Sequence, residues 1–132
     1  MLSIRNSADM DRALVSLLDP ALRRLLTLRR DQLAEDGLDL DEIVHIIVVR
    51  PGDTLAEVEA EAGVAIATNL VDGSRLGDPE FEPLFEYVTR KDGFLEAVMI
   101  LSDDGFGLVL FVPDTIDVDP AISLLLRRHA AA

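Results

Sequence analysis

Leucines recur at helical spacing along the first third of the chain. Leu14, Leu17, Leu18, Ala21, Leu22, Leu25, Leu26 and Leu33 fall close to a 3.6-residue period, which predicts helices over residues 8–18 and 20–36. Asp19 before Pro20 reads as an N-cap ahead of a first-turn proline, so the chain bends or restarts between the two helices. Gly37 ends the second. The apolar stripe is wide, as expected of helices lying on a sheet. In "EIVHIIVVR", residues 42–50, β-branched residues then run almost without polar interruption, the pattern of a strand buried on both faces. "PGDTLAEVEAEAG" turns the chain into a short helix over 54–62, with Thr54 and Glu57 at capping-box spacing and Gly63 as its C-cap. Residues 64–71 fit a strand and a helix end equally, and "DGSRLGDPEFEP" is loop by composition.

From residue 85 the pattern changes to β-rich runs separated by Asp-Gly pairs at 92–93 and 104–105. Asp-Gly suits the two-residue type I′ turn, so residues 85–113 are expected to form a three-stranded antiparallel meander. Turns at those two pairs set Tyr87 opposite Val98 and Val98 opposite Phe111, with Phe85, Ile100 and Val109 in the next row. The other face collects Val88, Ala97 and Val112, then Glu86, Met99 and Leu110. Both faces are mostly apolar and both need cover. A final short helix over 120–130 starts at Asp119-Pro120. The expected architecture is α+β: a single domain, residues 1–132, with N-terminal helices and a C-terminal helix packed on a mainly antiparallel sheet containing the meander.

Composition narrows the function classes. There is no cysteine, which excludes a disulfide framework and any thiolate metal site or nucleophile. The N-terminal stretch lacks a signal-peptide core, being interrupted by Asp9, Asp11 and Asp19, and a cytoplasmic location is expected. No apolar run approaches the ~20 residues that span a bilayer, so no membrane association is expected. The net charge of −13 is unevenly spread. Residues 1–30 carry six Arg against three Asp, whereas residues 31–119 carry four basic against 22 acidic side chains. A body this acidic repels phosphate backbones, and no nucleic-acid partner is expected; the terminal arginines are read as facing the chain's own carboxylates or solvent.

"VRPGDTL", residues 49–55, resembles the opening of a lysin-motif (LysM) domain, in which a strand enters a Gly-Asp-Thr turn and then a helix, with glycan contacts around the turn. The resemblance reaches Gly63 and implies Gly52, Asp53 and Thr54 as glycan-binding positions within the Arg50–Thr54 turn. Beyond Gly63 the pattern departs: Asn69 follows too soon for the family's second helix, and no Gly-Gln precedes a closing strand. The same letters have a structural reading, with proline fixing φ, glycine permitting a tight turn and threonine capping a helix.

Catalytic signatures are sparse. His45 lies within the apolar strand on the face of Ile43 and Ile47, where it reads as a core or edge histidine with one hydrogen bond or as a proton shuttle. The carboxylate groups Asp39 with Asp41, Asp103 with Asp104, and Asp114 with Asp117 and Asp119 each sit where strand entry, turn or cap chemistry uses them. No calcium-loop spacing occurs, so neither metal nor cofactor is expected. The leading expectation is a non-catalytic cytosolic interaction protein that forms a homodimer or binds a protein partner through a bare sheet face. Its interface candidates are Phe85, Tyr87, Val98, Met99, Val109, Leu110 and Phe111. The alternatives are a small enzyme or ligand-binding domain using His45 and carboxylates, and a LysM-like glycan binder.

Overall fold

The computed structural model describes residues 1–16, 19–37, 44–63, 86–100 and 107–129, with the side chains of residues 86, 87, 100 and 129 excepted. In chain order the elements are β1 (Leu2–Ile4), α1 (Ser7–Ser16), α2 (Pro20–Glu35), β2 (Val44–Val48), α3 (Leu55–Ala62), β3 (Glu86–Lys91), β4 (Phe94–Ile100), β5 (Gly107–Pro113) and α4 (Pro120–His129). The expected helices are present, and their ends follow the capping chemistry. Asp19 accepts from the backbone N–H groups of Ala21 and Leu22 at the start of α2, Thr54 accepts from Glu57 N–H at the start of α3, and Gly63 closes α3 in the left-handed region at φ 74°.

The strands form one five-stranded sheet in the order β1-β2-β5-β4-β3. β2 runs parallel to β5, while the other three pairings are antiparallel. The fold is therefore α+β with a mixed sheet, in which the meander occupies one end and β2 joins it along β5. β1 adds a strand that the apolar pattern did not mark.

The first hairpin is as expected: Asp92 and Gly93 both have positive φ, 54° and 83°, and Tyr87 pairs with Val98. The second differs. Val98 pairs with Val109 rather than Phe111, and Ile100 pairs with Gly107, which a two-residue turn at Asp104-Gly105 does not allow. A shift of two residues leaves every side chain on its expected face, because strand side chains alternate with period two. The connection itself, residues 101–106, lies outside the described residues, as do residues 64–71.

That alternation sorts the core into two layers. Val44, Ile46 and Val48 of β2, Val109 and Phe111 of β5 and Phe94 of β4 pack against Met10, Ala13, Leu22, Leu25, Leu26 and Leu33 of α1 and α2. On the reverse face, Ile47, Leu95, Ala97, Met99, Leu108, Leu110 and Val112 pack against Val58 and Ala62 of α3 and Ile122, Leu125 and Leu126 of α4. The two short helices thus cover the face expected to be bare. Their reach comes from β5, the central strand, which brings the entry to α4 back over the sheet beside α3. Asp119 fixes that arrangement: Oδ1 accepts from Ala121 N–H in α4 and Oδ2 accepts from Leu55 N–H in α3, each at 3.0 Å.

Candidate functional site

β2 ends in the turn that resembles a glycan-binding motif, and its polar groups are used within the chain. Asp53 Oδ2 accepts from Arg50 N–H at 2.8 Å and lies 2.9 Å from the amino group of Met1. Burial pushes the Asp53 carboxyl up, but the bonds from Arg50 and the Met1 ammonium outweigh it and hold its pKa below the ordinary value. Thr54 caps α3, and Gly52 supplies a positive φ of 96° for the turn. A glycan would have to compete with those bonds for Asp53 and Thr54.

A polar cluster that sequence spacing did not reveal assembles around His45. β1 pairs with β2 so that Ser3 stands opposite Ile47, on the α3 side of the sheet. Ser3 Oγ lies 2.6 Å from His45 Nε2. Across from them on α3, Glu61 receives a hydrogen bond from Ser3 and another from Arg5, whose Nη2 lies 2.9 Å from Glu61 Oε1. These bonds, from Ser3 first and Arg5 second, hold the Glu61 carboxyl below its ordinary pKa. Asp9 accepts from the backbone N–H of Arg5 and pairs with Arg12, and its carboxyl is likewise lowered, chiefly by the Arg5 bond.

His45 is only 6 % exposed. Burial first, and the charge of Arg5 second, depress its pKa against the opposing pull of Glu61 and Asp9, so the imidazole is neutral at pH 7. Ser3 Oγ stands between His45 Nε2 and the Glu61 carboxylate, and its single proton serves one of the two at a time.

The interface candidates do not gather on a bare face. Met99, Val109, Leu110 and Phe111 are at most 2 % exposed, buried by the chain's own helices, and Val98 is half-buried against the α1/α2 layer. Tyr87 contributes its backbone to the pairing with Val98, while Phe85 lies outside the described residues. Among the described residues the exposed large apolar side chains are Val15 on α1, Leu28 on α2, Ile116 before α4 and Leu124 on α4. They are divided between the two helical layers, and isolated residues of this kind are ordinary on a protein surface.

The carboxylates considered for metal binding have other work. Asp114 accepts from Arg127 at 2.6 Å and pairs with Arg90 at 3.3 Å, Asp117 accepts from Thr115, and Asp119 caps two helices. Asp39, Asp41, Asp103 and Asp104 lie outside the described residues. Among the described residues no group of three or more His, Asp or Glu side chains is placed to hold a metal ion, and no helix is long and apolar enough to cross a membrane. Of the N-terminal arginines, Arg5, Arg12, Arg29 and Arg30 each pair with a carboxylate of the chain. No protein-family model, curated protein or solved structure matches this chain.

Proposed function

We propose that this chain is a non-catalytic interaction protein of the cytoplasm that acts as a homodimer. The observation that carries the reading is the end of the sheet. Among the described residues β3 is a terminal strand, and its residues Thr89, Arg90 and Lys91 are exposed. With both sheet faces covered by helices, association moves from a face to an edge, where main-chain groups recruit another strand. Static light scattering over micromolar to submillimolar concentration tests this. A mass approaching twice 14.4 kDa is expected, and a mass fixed at 14.4 kDa throughout the range overturns it.

A second reading, a ligand-binding or catalytic role centred on His45, draws support from the cluster of Ser3, His45 and Glu61 and the adjacent Arg5. Its chemistry would suit a small anion that displaces Glu61 from Arg5. Titration with acetate and phosphate, followed at the His45 imidazole by NMR, separates the two. A saturable shift lost in Arg5→Gln supports the second reading, and an unchanged resonance removes it.

A further inference from the structure

The backbone of β3 alternates between two edges, and the hairpin turn sets the phase. Asp92 and Gly93 form a two-residue turn, which makes Lys91 and Phe94 the hydrogen-bonded pair that closes it. Alternation then makes Thr89 with Glu96 and Tyr87 with Val98 hydrogen-bonded pairs as well. The N–H and C=O groups of Glu86, Val88 and Arg90 therefore face away from β4, on the side where no described strand lies.

An antiparallel partner strand must oppose outward residues to outward residues, which leaves few two-fold pairings of β3 with a second copy of itself. An axis through Thr89 sets Glu86 against Asp92, and an axis through Arg90 or Glu86 sets that residue against its own copy. All three put like charges opposite each other, which is destabilising. An axis through Tyr87 pairs Glu86 with Val88 and leaves Arg90 beyond the strand. An axis through Val88 differs: it sets Glu86 opposite Arg90 of the other copy, twice by symmetry, and Tyr87 opposite Thr89. Arg90 is half-exposed and its contact with Asp114 is long at 3.3 Å, since Arg127 holds Asp114 more closely, so its guanidinium is accessible to a second carboxylate.

We propose that two copies of this chain join through β3, antiparallel about a two-fold axis at Val88, so that their sheets become continuous. The pairing forms about six main-chain hydrogen bonds, two for each opposed outward pair, and two cross-strand Glu86–Arg90 pairs. The surface is self-complementary, as an isologous contact requires. This assignment rests on the homodimer reading above and adds the surface and register to it.

Charge reversal tests it. Glu86→Lys and Arg90→Glu each place like charges opposite one another at both symmetric sites and are expected to weaken dimerisation about tenfold or more; the double variant restores it. Thermal midpoints monitor folding in each case, and if Arg90→Glu unfolds the chain, amide exchange carries the test in the unsubstituted protein. There the Val88 and Arg90 amides are expected to gain protection as concentration rises, while Thr89, already bonded to β4, stays constant. A monomer at every concentration overturns the homodimer reading and this pairing together. A dimer indifferent to the charge reversals, or one without added protection at Val88 and Arg90, overturns the pairing alone and moves the contact to another surface.

Discussion

Asp119 is the residue whose loss should cost the fold more than its sequence position suggests. One carboxylate oxygen caps α4 through Ala121 N–H, and the other accepts from Leu55 N–H at the first turn of α3. Replacing an Asp cap by Ala costs about 0.5–2 kcal/mol. The second bond adds a separate term, because a partly buried N–H left without a partner costs about 1–3 kcal/mol. Asp119→Ala is therefore expected to destabilise by about 2–4 kcal/mol. For a domain of 132 residues, 1 kcal/mol corresponds to about 3–4 °C in melting temperature, giving a loss of roughly 7–14 °C. Thr54→Ala is the control. It removes the bond from Glu57 N–H at the same end of α3 but leaves Asp119 in place, so its cost should stay within about 0.5–2 kcal/mol. Urea denaturation followed by far-UV circular dichroism compares the two. Equal destabilisation by the two variants would show that Asp119 acts as a single cap and would refute the coupling of α3 to α4.

Three further outcomes follow from the described geometry. Arg29 of α2 grips Glu96 of β4 through two bonds, 3.2 and 2.7 Å, with both side chains largely buried; Glu96→Ala should cost about 3 kcal/mol or more, while an Arg29→Met/Glu96→Leu double variant recovers most of it, and a double variant as unstable as the single would contradict this. Gly93→Val at φ 83° should cost at least ~1 kcal/mol from backbone strain alone, because no atom stands within 4 Å of the added Cβ; an unchanged denaturation midpoint would remove the type I′ turn. The lowered pKa of His45 means that the unfolded chain binds its proton first, so stability is full above about pH 6.5 and declines as pH falls below that value. His45→Gln should flatten the slope between about pH 7 and 5, a window separate from the lowered carboxylates Asp9, Asp53 and Glu61, whose contributions are lost only below their ordinary values of 3.8 to 4.5.

Local chemistry was legible in the chain wherever a few adjacent residues decide the outcome. Asp19-Pro20, Thr54 with Gly63, and Asp92-Gly93 each place a cap or turn through their own backbone preferences, and the structure keeps all of them. The register of the second hairpin was not decided locally. "SDDGFG" offers overlapping turn pairs, and the pairing adopted also aligns Ile46 of β2 with Val109 of β5, a contact across sixty residues of sequence that no local pattern expresses. β1 was invisible for the same reason: three residues become a strand only because β2 presents an edge to them. The cover over the second sheet face, expected to be bare, was not legible because it depends on where β5 and Asp119 place two short helices. α3 and α4 are short, but Asp119 holds their starts together and their apolar residues form one layer. The cluster of Ser3, His45 and Glu61 draws on β1, β2 and α3, and Glu61 on its own reads as one more charge on a solvated helix face.

The charge of the chain bears directly on the dimer. Arginines of the described residues span layers: Arg5 ties the start of α1 to α3, Arg29 ties α2 to β4, and Arg127 and Arg90 meet at Asp114 between α4 and β3. Apart from the buried Arg29–Glu96 pair, these are exposed or partly exposed pairs that contribute little, about 0–1 kcal/mol each. Each pair is neutral in sum, so the whole net charge of −13 remains, and two approaching copies repel each other over distances comparable to their own radius. That repulsion is screened beyond about 10 Å at 0.1 M salt, whereas main-chain hydrogen bonds between opposed strands are insensitive to ionic strength at this level. Two Glu86–Arg90 pairs lose some strength under the same screening, but they are two local contacts set against the charge of the whole surface. Dimer formation is therefore expected to increase as salt rises from about 0.02 to 0.3 M, with the weakening caused by Glu86→Lys persisting at the upper end because opposed residues lie well inside the screening length. Sedimentation velocity across that series measures both. A dimer fraction that falls steadily with salt would mean that attraction between charges, rather than strand pairing, holds the copies together.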